Sequence, residues 1–312
     1  MTDRLIPRAQ RATSYFPQLE EYCRWALEER GFTVATVQQS HWHLTYFLTW
    51  YASRGRSVAD VSIDEVDAYF ITQSRRRWCR RTMNSVAKIL RMFFRFASQQ
   101  GWTRRDLSIA IQAPRIYAME ELPAGVDWRD VGRLFAALDV NDQKDTRDRA
   151  ILMLMAIYGL RSSEVAGLRL EHLDWDRDLL RIRRNKRRGT QDYPMLPSLN
   201  DALIAYLKSV RYRPSEHRQV FLSLTPPFRP ITTSGLYTMV SDRLHALGVH
   251  IAHYGPHSLR HACAAHLVAE GLSLKEIGDH LGHRSTRSTR IYAKVDLAGL
   301  REVAVFDLGD LP

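Results

Sequence analysis

TMNSVAKILRMFFRFASQQ, residues 82–100, is the stretch on which the fold turns. Its apolar positions are Val86, Ile89, Leu90, Phe93, Phe94 and Ala97, spaced three and four apart. That period puts them on one face of a helix. Gly101 follows and can close the helix in a left-handed turn. The spacing predicts an amphipathic helix over 82–100, with a wide aromatic stripe that needs partners.

Those partners lie N-terminal to it. Leu19, Tyr22, Cys23, Trp25, Ala26 and Leu27 supply a first helix stopped at Gly31. Residues 36–52 repeat the period through Val37, His41, Leu44, Phe47, Leu48 and Tyr51, and Gly55 ends them. A third helix over 62–70 opens on Ser62-Ile63-Asp64-Glu65, a capping box in which Glu65 reaches back to the N–H of Ser62. Four helices on short connections predict a small all-α bundle over residues 13–112, behind a basic tail at 1–12.

C-terminal to the bundle, residues 113–125 hold Pro114 and Pro123 without periodicity and read as a linker. A second, larger domain over 126–296 is then expected. Its predicted helices are 128–138, 146–158, 201–208, 234–247, 258–270, 274–281 and 286–293. Residues 179–183 and 193–196 alternate as two strands around a basic turn. The fold class is therefore mainly α with a small antiparallel β-sheet. Residues 297–312 carry Leu297, Leu300, Val303, Val305 and Phe306, an apolar stripe too small for a core of its own.

Composition narrows the function classes. The chain has 312 residues and a net charge of +11. Residues 1–115 carry 18 Lys and Arg against 10 Asp and Glu, so the smaller part holds most of the excess. Such a face suits a polyanion, with nucleic acid the natural candidate. No apolar run approaches the ~20 residues of a membrane span, and the charged N-terminus lacks the apolar core of a signal peptide. A cytoplasmic protein without membrane association is expected. Cys23, Cys79 and Cys263 are odd in number and far apart, which argues against disulfides and zinc and for small buried side chains.

Two basic clusters stand out. Arg75, Arg76, Arg77, Arg80 and Arg81 crowd seven positions at a helix start, where backbone N–H groups already favour anions. Residues 181–188 hold six cations in eight, among them Arg184, Lys186, Arg187 and Arg188. Either run could be a solvated surface; a phosphate partner explains such self-repelling density better.

Four segments of the second domain carry possible chemistry. Gly159-Leu160-Arg161-Ser162-Ser163-Glu164 holds Arg161 at a turn, with Ser162 or Ser163 as cap of the next helix. The basic hairpin turn contains a single lysine, Lys186. His257-Ser258-Leu259-Arg260-His261 puts His257 and Arg260 three apart at a helix start, a pair suited to an oxyanion. Leu281-Gly282-His283 is followed by Arg290-Ile291-Tyr292. Taken singly, each has an ordinary reading: a surface arginine, a solvated turn, a charged cap, a half-buried tyrosine. A zinc site among His257, His261, His266, His280 and His283 is disfavoured, because no Glu follows the first His and no cysteine pair helps.

Taken together and in order, these segments resemble the tyrosine recombinases, the phage integrase family. That family's catalytic domain carries an Arg in Gly-Leu-Arg-x-Ser-Glu, a Lys in a β-hairpin turn, His-x-x-Arg, Leu-Gly-His, and a Tyr nine residues beyond that His. Arg161, Lys186, His257, Arg260, His283 and Tyr292 stand at these positions, and Glu164 matches the acidic residue beside the first Arg. The likeness covers residues 126–300. One departure is the turn Asn185-Lys186-Arg187, where Gly-Lys-Gly is usual; Lys186 is located by counting eight back from Pro194.

The resemblance implies an N-terminal core-binding domain that clamps DNA and a C-terminal catalytic domain. It implies Tyr292 as nucleophile, Arg161 and Arg260 as phosphate clamp, His257 and His283 as hydrogen-bonding or proton-carrying groups, Lys186 as general acid, and Glu164 as a supporting residue. It implies a 3′-phosphotyrosine intermediate and a Holliday junction, with no cofactor and no metal. The partners implied are a double-stranded DNA recombination site and a homo- or hetero-tetramer assembled through the C-terminal tail. Two alternatives stay open: a type IB topoisomerase-like enzyme, and a DNA-binding relative without catalysis. A helix-turn-helix regulator is disfavoured, since no helix follows a convincing turn of that kind.

Overall fold

The computed structural model describes residues 17–75, 78–115, 125–184, 189–211 and 214–282. The chain divides into two compact units, residues 1–120 and 121–312.

In the first unit four helices surround an aromatic core. They are α1 (Pro17–Glu28), α2 (Val34–Ala52), α3 (Ile63–Arg75) and α4 (Arg80–Gln99). The stripe anticipated on α4 is buried along its length, except that Ile89 is only half-buried. Phe93 and Phe94 are fully enclosed, edge-on to each other and to Tyr22 and Phe47 respectively. Each such ring contributes ~1.5–3 kcal/mol by leaving water. The capping box forms: the N–H of Ser62 donates to Glu65 Oε2 at 3.0 Å. Glu65 also accepts from Arg56 at 2.6 Å and from the Tyr51 hydroxyl at 3.2 Å, tying α3 to α2. α2 begins two residues earlier than expected, because Thr33 caps it. α3 runs one further turn, burying Gln73. Of the three cysteines, Cys23 and Cys263 are buried as anticipated, but Cys79 is exposed, as the residue that caps α4.

The second unit is built around α6 (Gln143–Ala156), whose residues from Thr146 to Ala156 are nearly all buried. α5 (Trp128–Ala136) precedes it, and the short helix α7 (Ser162–Ala166) follows. Then come strands β1 (Leu173–Asp174), β2 (Leu179–Arg184) and β3 (Gly189–Pro194), in antiparallel order β1-β2-β3. α8 (Pro197–Ser209), α9 (Thr233–Ala246), α10 (Pro256–Ala269) and α11 (Leu274–His280) complete the described part. α8 and α10 both pack on α6.

Several boundaries of this unit differ from expectation by a few residues. β3 starts at Gly189 and ends at Pro194, because Leu196 already caps α8 and Pro197 begins it. β1 was not anticipated, being too short to show a period; α7 stands where a helix capped by Ser162 or Ser163 was expected and is five residues long. The helix expected at 286–293 and the tail 297–312 lie outside the described residues.

The polar groups inside α6 are paired. Asp148, with no exposed surface, accepts from Arg147 at 2.7 Å and from Arg243 of α9 at 2.8 Å. Arg243 also reaches Asp145. Two acids and two arginines thus join α6 to α9 inside the core edge. Among the described residues, no helix is long and apolar enough to cross a membrane.

Candidate active site

The site grows from the end of α6. Gly159 has φ of +59°, and a Cβ there would lie 2.4 Å from Leu281 Cδ2. Only glycine supplies both the left-handed turn and the space. The next residues swing out and start α7. Arg161, rather than Ser162 or Ser163, occupies the cap position. Glu164 reaches back, taking the Arg161 N–H at 2.8 Å on Oε2 and its Nη1 at 2.9 Å on Oε1. The Arg161 side chain keeps 26% of its surface exposed while Glu164 keeps 2%.

Glu164 has a second cation. Arg184, on β2, donates from Nη1 to Oε2 at 2.7 Å. Burial pushes the Glu164 carboxyl up; the Arg161 amide and the two guanidiniums outweigh that and hold it below the usual carboxylate range. Arg184 also donates to Gln191 Oε1 at 3.1 Å, to the Tyr193 hydroxyl, and to the carbonyl of His280 at 3.2 Å. The expectation that Arg184 contacts DNA is corrected here. Its side chain is 3% exposed, because Leu180, Ile182 and Arg184 alternate onto the inner face of β2. Arg181 and Arg183 take the outer face, where Arg181 pairs with Asp192 at 3.1 Å.

α10 begins at Pro256 and carries the His-x-x-Arg pair. Arg260 is buried, and donates to the carbonyl of Gly159 and, at 2.6 Å, to that of Leu281. Arg161 Nη2 reaches the carbonyl of Gly282 at 3.4 Å. Three successive carbonyls at the end of α11, from His280, Leu281 and Gly282, therefore each accept from a different arginine. These orphan groups of a helix C-terminus are matched by cations, as the helix dipole favours.

Arg161, His257 and Arg260 line one open pocket of about 530 Å³. Three residues that sequence reasoning passed over line it too: Thr233, Tyr237 and His253. Tyr237 rides over Gly255, where a Cβ would come within 2.4 Å of its ring. The glycine before Pro256-His257 was the available signal. His257 is exposed and stacks on His261, with ring centroids 5.4 Å apart. Burial, then His257, Arg260 and His253, push His261 down to about 4. Lys186, His283 and Tyr292 lie outside the described residues, as do Arg187 and Arg188. Among the described residues no group of His, Cys, Asp and Glu is arranged to hold a metal.

In the first unit Arg75 ends α3, and Arg80 and Arg81 open α4, all exposed. Arg80 also donates to the carbonyl of Arg115 at 2.9 Å. Arg76 and Arg77 lie outside the described residues. A second cationic surface was missed: Trp25, Arg30, Lys88, Arg91 and Arg95 line a concavity on α1 and α4. It was legible as the polar side of the very helix whose apolar side predicts the bundle.

The family model for the phage integrase family matches residues 126–298. The chain belongs to that family, the tyrosine recombinases. Among relatives, y4rA of Sinorhizobium fredii, named as an integrase/recombinase, is 34% identical over 76% of this integrase-family chain. The match spans 57% of that relative's own length. Tyrosine recombinase XerC of Oceanobacillus iheyensis is 27% identical over 91% of this chain and 95% of its own. Among solved structures, the XerH site-specific recombinase in its post-cleavage complex with a palindromic difH substrate superposes with a TM-score of 0.69. That likeness covers 94% of this chain and 90% of the other at 16% identity, and it concerns the fold.

Proposed function

We propose that this protein is a metal-independent, site-specific DNA recombinase that cuts and rejoins double-stranded DNA for a mobile element or for replicon resolution. The observation that carries the reading is the pocket in which the guanidinium of Arg161 stands with His257 and Arg260. Two fixed cations and a histidine fit a phosphate that gains negative charge in its transition state. Family membership supports the remaining roles.

In this reading the hydroxyl oxygen of Tyr292 attacks the scissile phosphorus. The bond to the 5′-oxygen breaks, leaving a 3′-phosphotyrosine and a free 5′-hydroxyl. Lys186 gives the leaving oxygen its proton. His257 and His283 bond the non-bridging oxygens or carry the proton that Tyr292 loses. The phosphodiester energy is kept in the covalent link, so religation needs no nucleotide. Arg75, Arg80, Arg81 and the α1–α4 concavity hold the DNA backbone, together with Arg76, Arg77, Arg187 and Arg188. Four protomers assemble on the DNA through residues 297–312 and exchange strands through a Holliday junction. The protein works in the cytoplasm.

The test is strand exchange in chelator. A supercoiled plasmid bearing two copies of the DNA that flanks the coding sequence is incubated with purified protein and EDTA. Recombined circles are expected. Relaxed topoisomers alone would favour the topoisomerase-like alternative, and tight binding without any strand scission would favour the inactive relative.

A further inference from the structure

Among the described residues of the hairpin, Arg184 is the cation turned inward, and nothing in the proposed chemistry uses it. Its guanidinium meets four groups from three elements: Glu164 of α7, Gln191 and Tyr193 of β3, and the carbonyl of His280 at the end of α11. Gln191 Nε2 and the Tyr193 hydroxyl bond the same end of α11, through the carbonyls of Asp279 and His280. Gly282 is packed against Arg184 so tightly that a Cβ there would lie 2.5 Å from Nε. A buried arginine with this many acceptors fixes relative position more than it adds stability.

We infer that Arg184 is a positioning residue for phosphate activation: through Glu164 it sets the guanidinium of Arg161, and through the His280 carbonyl it sets the Leu281-Gly282 turn against the same guanidinium. Glu164 shares its two oxygens between the arginines. Oε2 takes Arg184 and the Arg161 N–H, which leaves Oε1 to the Arg161 guanidinium. Without Arg184, Oε2 keeps only the Arg161 N–H, and the carboxylate can turn about that bond and draw the Arg161 side chain back from the pocket. The Gly282 carbonyl, the other acceptor for Arg161, loses its packing at the same time. The inference rests on the recombinase reading, in which Arg161 clamps a non-bridging phosphate oxygen.

The experiment compares two nicked duplexes of the recombination site. One has the ordinary scissile phosphate and the other a methylphosphonate, whose neutral methyl replaces a charged non-bridging oxygen. Wild type, Arg161→Ala, Arg184→Met and Arg184→Lys are assayed for covalent adduct, with binding measured beside it. Arg184→Met is expected to cleave the phosphodiester ~10–100-fold more slowly, by analogy with the loss of a group that orients a metal's ligand, with binding unchanged. On the methylphosphonate its deficit shrinks to a few-fold, as that of Arg161→Ala does. Arg184→Lys keeps a cation beside Glu164 but lacks the fork that reaches the other acceptors; it is expected to fall between, and it decides the matter if the Met variant does not fold. An equal deficit on both duplexes, or wild-type cleavage by Arg184→Lys and Arg184→Met, overturns the inference while leaving the recombinase reading intact. Failure of wild type to form any adduct would strike that reading instead.

Discussion

Glu164 sits between Arg161 and Arg184 with almost no exposed surface, so its charge is compulsory rather than decorative. Breaking a buried pair by removing one charge costs ~3–5 kcal/mol. Glu164→Gln is therefore expected to lower stability by that order in urea titration. Because the folded carboxyl titrates below its ordinary value, its contribution is complete above the unfolded pKa, ~4.3. It is lost only as pH falls through the lower folded value. His261 acts in the same direction, in a window at higher pH. Its ring, held near 4, stays neutral in the fold while the unfolded chain takes up a proton below ~6.5. Stability should decline as pH falls from the unfolded value to the folded one, and His261→Gln should flatten the slope of Tm against pH in that window. At this scale order and spacing in the sequence singled out Arg161, His257 and Arg260, which line one pocket. It misled at Arg184, where charge density suggested a surface. The alternation of Leu180, Ile182 and Arg184 on one strand face carried the opposite message.

The elements owe their ends to glycines that differ in what surrounds them. Gly101 after α4 and Gly159 after α6 both have positive φ, +71° and +59°. Nothing lies within 4 Å of a Cβ added at Gly101, whereas one at Gly159 strikes Leu281 Cδ2. Gly101→Ala should cost only the left-handed backbone, ~1–2 kcal/mol. Gly159→Ala should cost ~1–3 kcal/mol more through overpacking. It should also slow adduct formation, since the displaced Leu281 turn carries the carbonyls that Arg161 and Arg260 hold; denaturant midpoints and cleavage rates separate the two effects. Long helices were legible because their apolar period is long: α2, α4 and α6 all appear within three residues of their predicted starts. α7 and β1, of five and two residues, are set by tertiary partners and left no period to read.

Over the whole molecule, charge is divided unevenly. Residues 1–115 carry 18 Lys and Arg against 10 Asp and Glu, and the first unit arranges Arg30, Lys88 and Arg95 around one concavity. In the recombinase reading these meet phosphates of the bound duplex. Each lost contact should lower the slope of log K against log salt by ~0.9. Arg30→Gln, Lys88→Gln and Arg95→Gln together are expected to flatten that slope by up to three such steps, with adduct formation by the bound complex unchanged. The division into a helical bundle and a larger mixed unit was visible in the sequence, because a proline-bearing stretch without periodicity separates two periodic ones.

Covalent capture of DNA tests the chemistry proposed for Tyr292. A nicked suicide duplex carrying the recombination site is incubated in EDTA with wild type and with Tyr292→Phe, then run on a denaturing gel. An adduct from wild type alone, with the DNA on the peptide that contains Tyr292, is the expected result. No adduct from wild type despite tight binding, or an undiminished adduct from Tyr292→Phe, would contradict it.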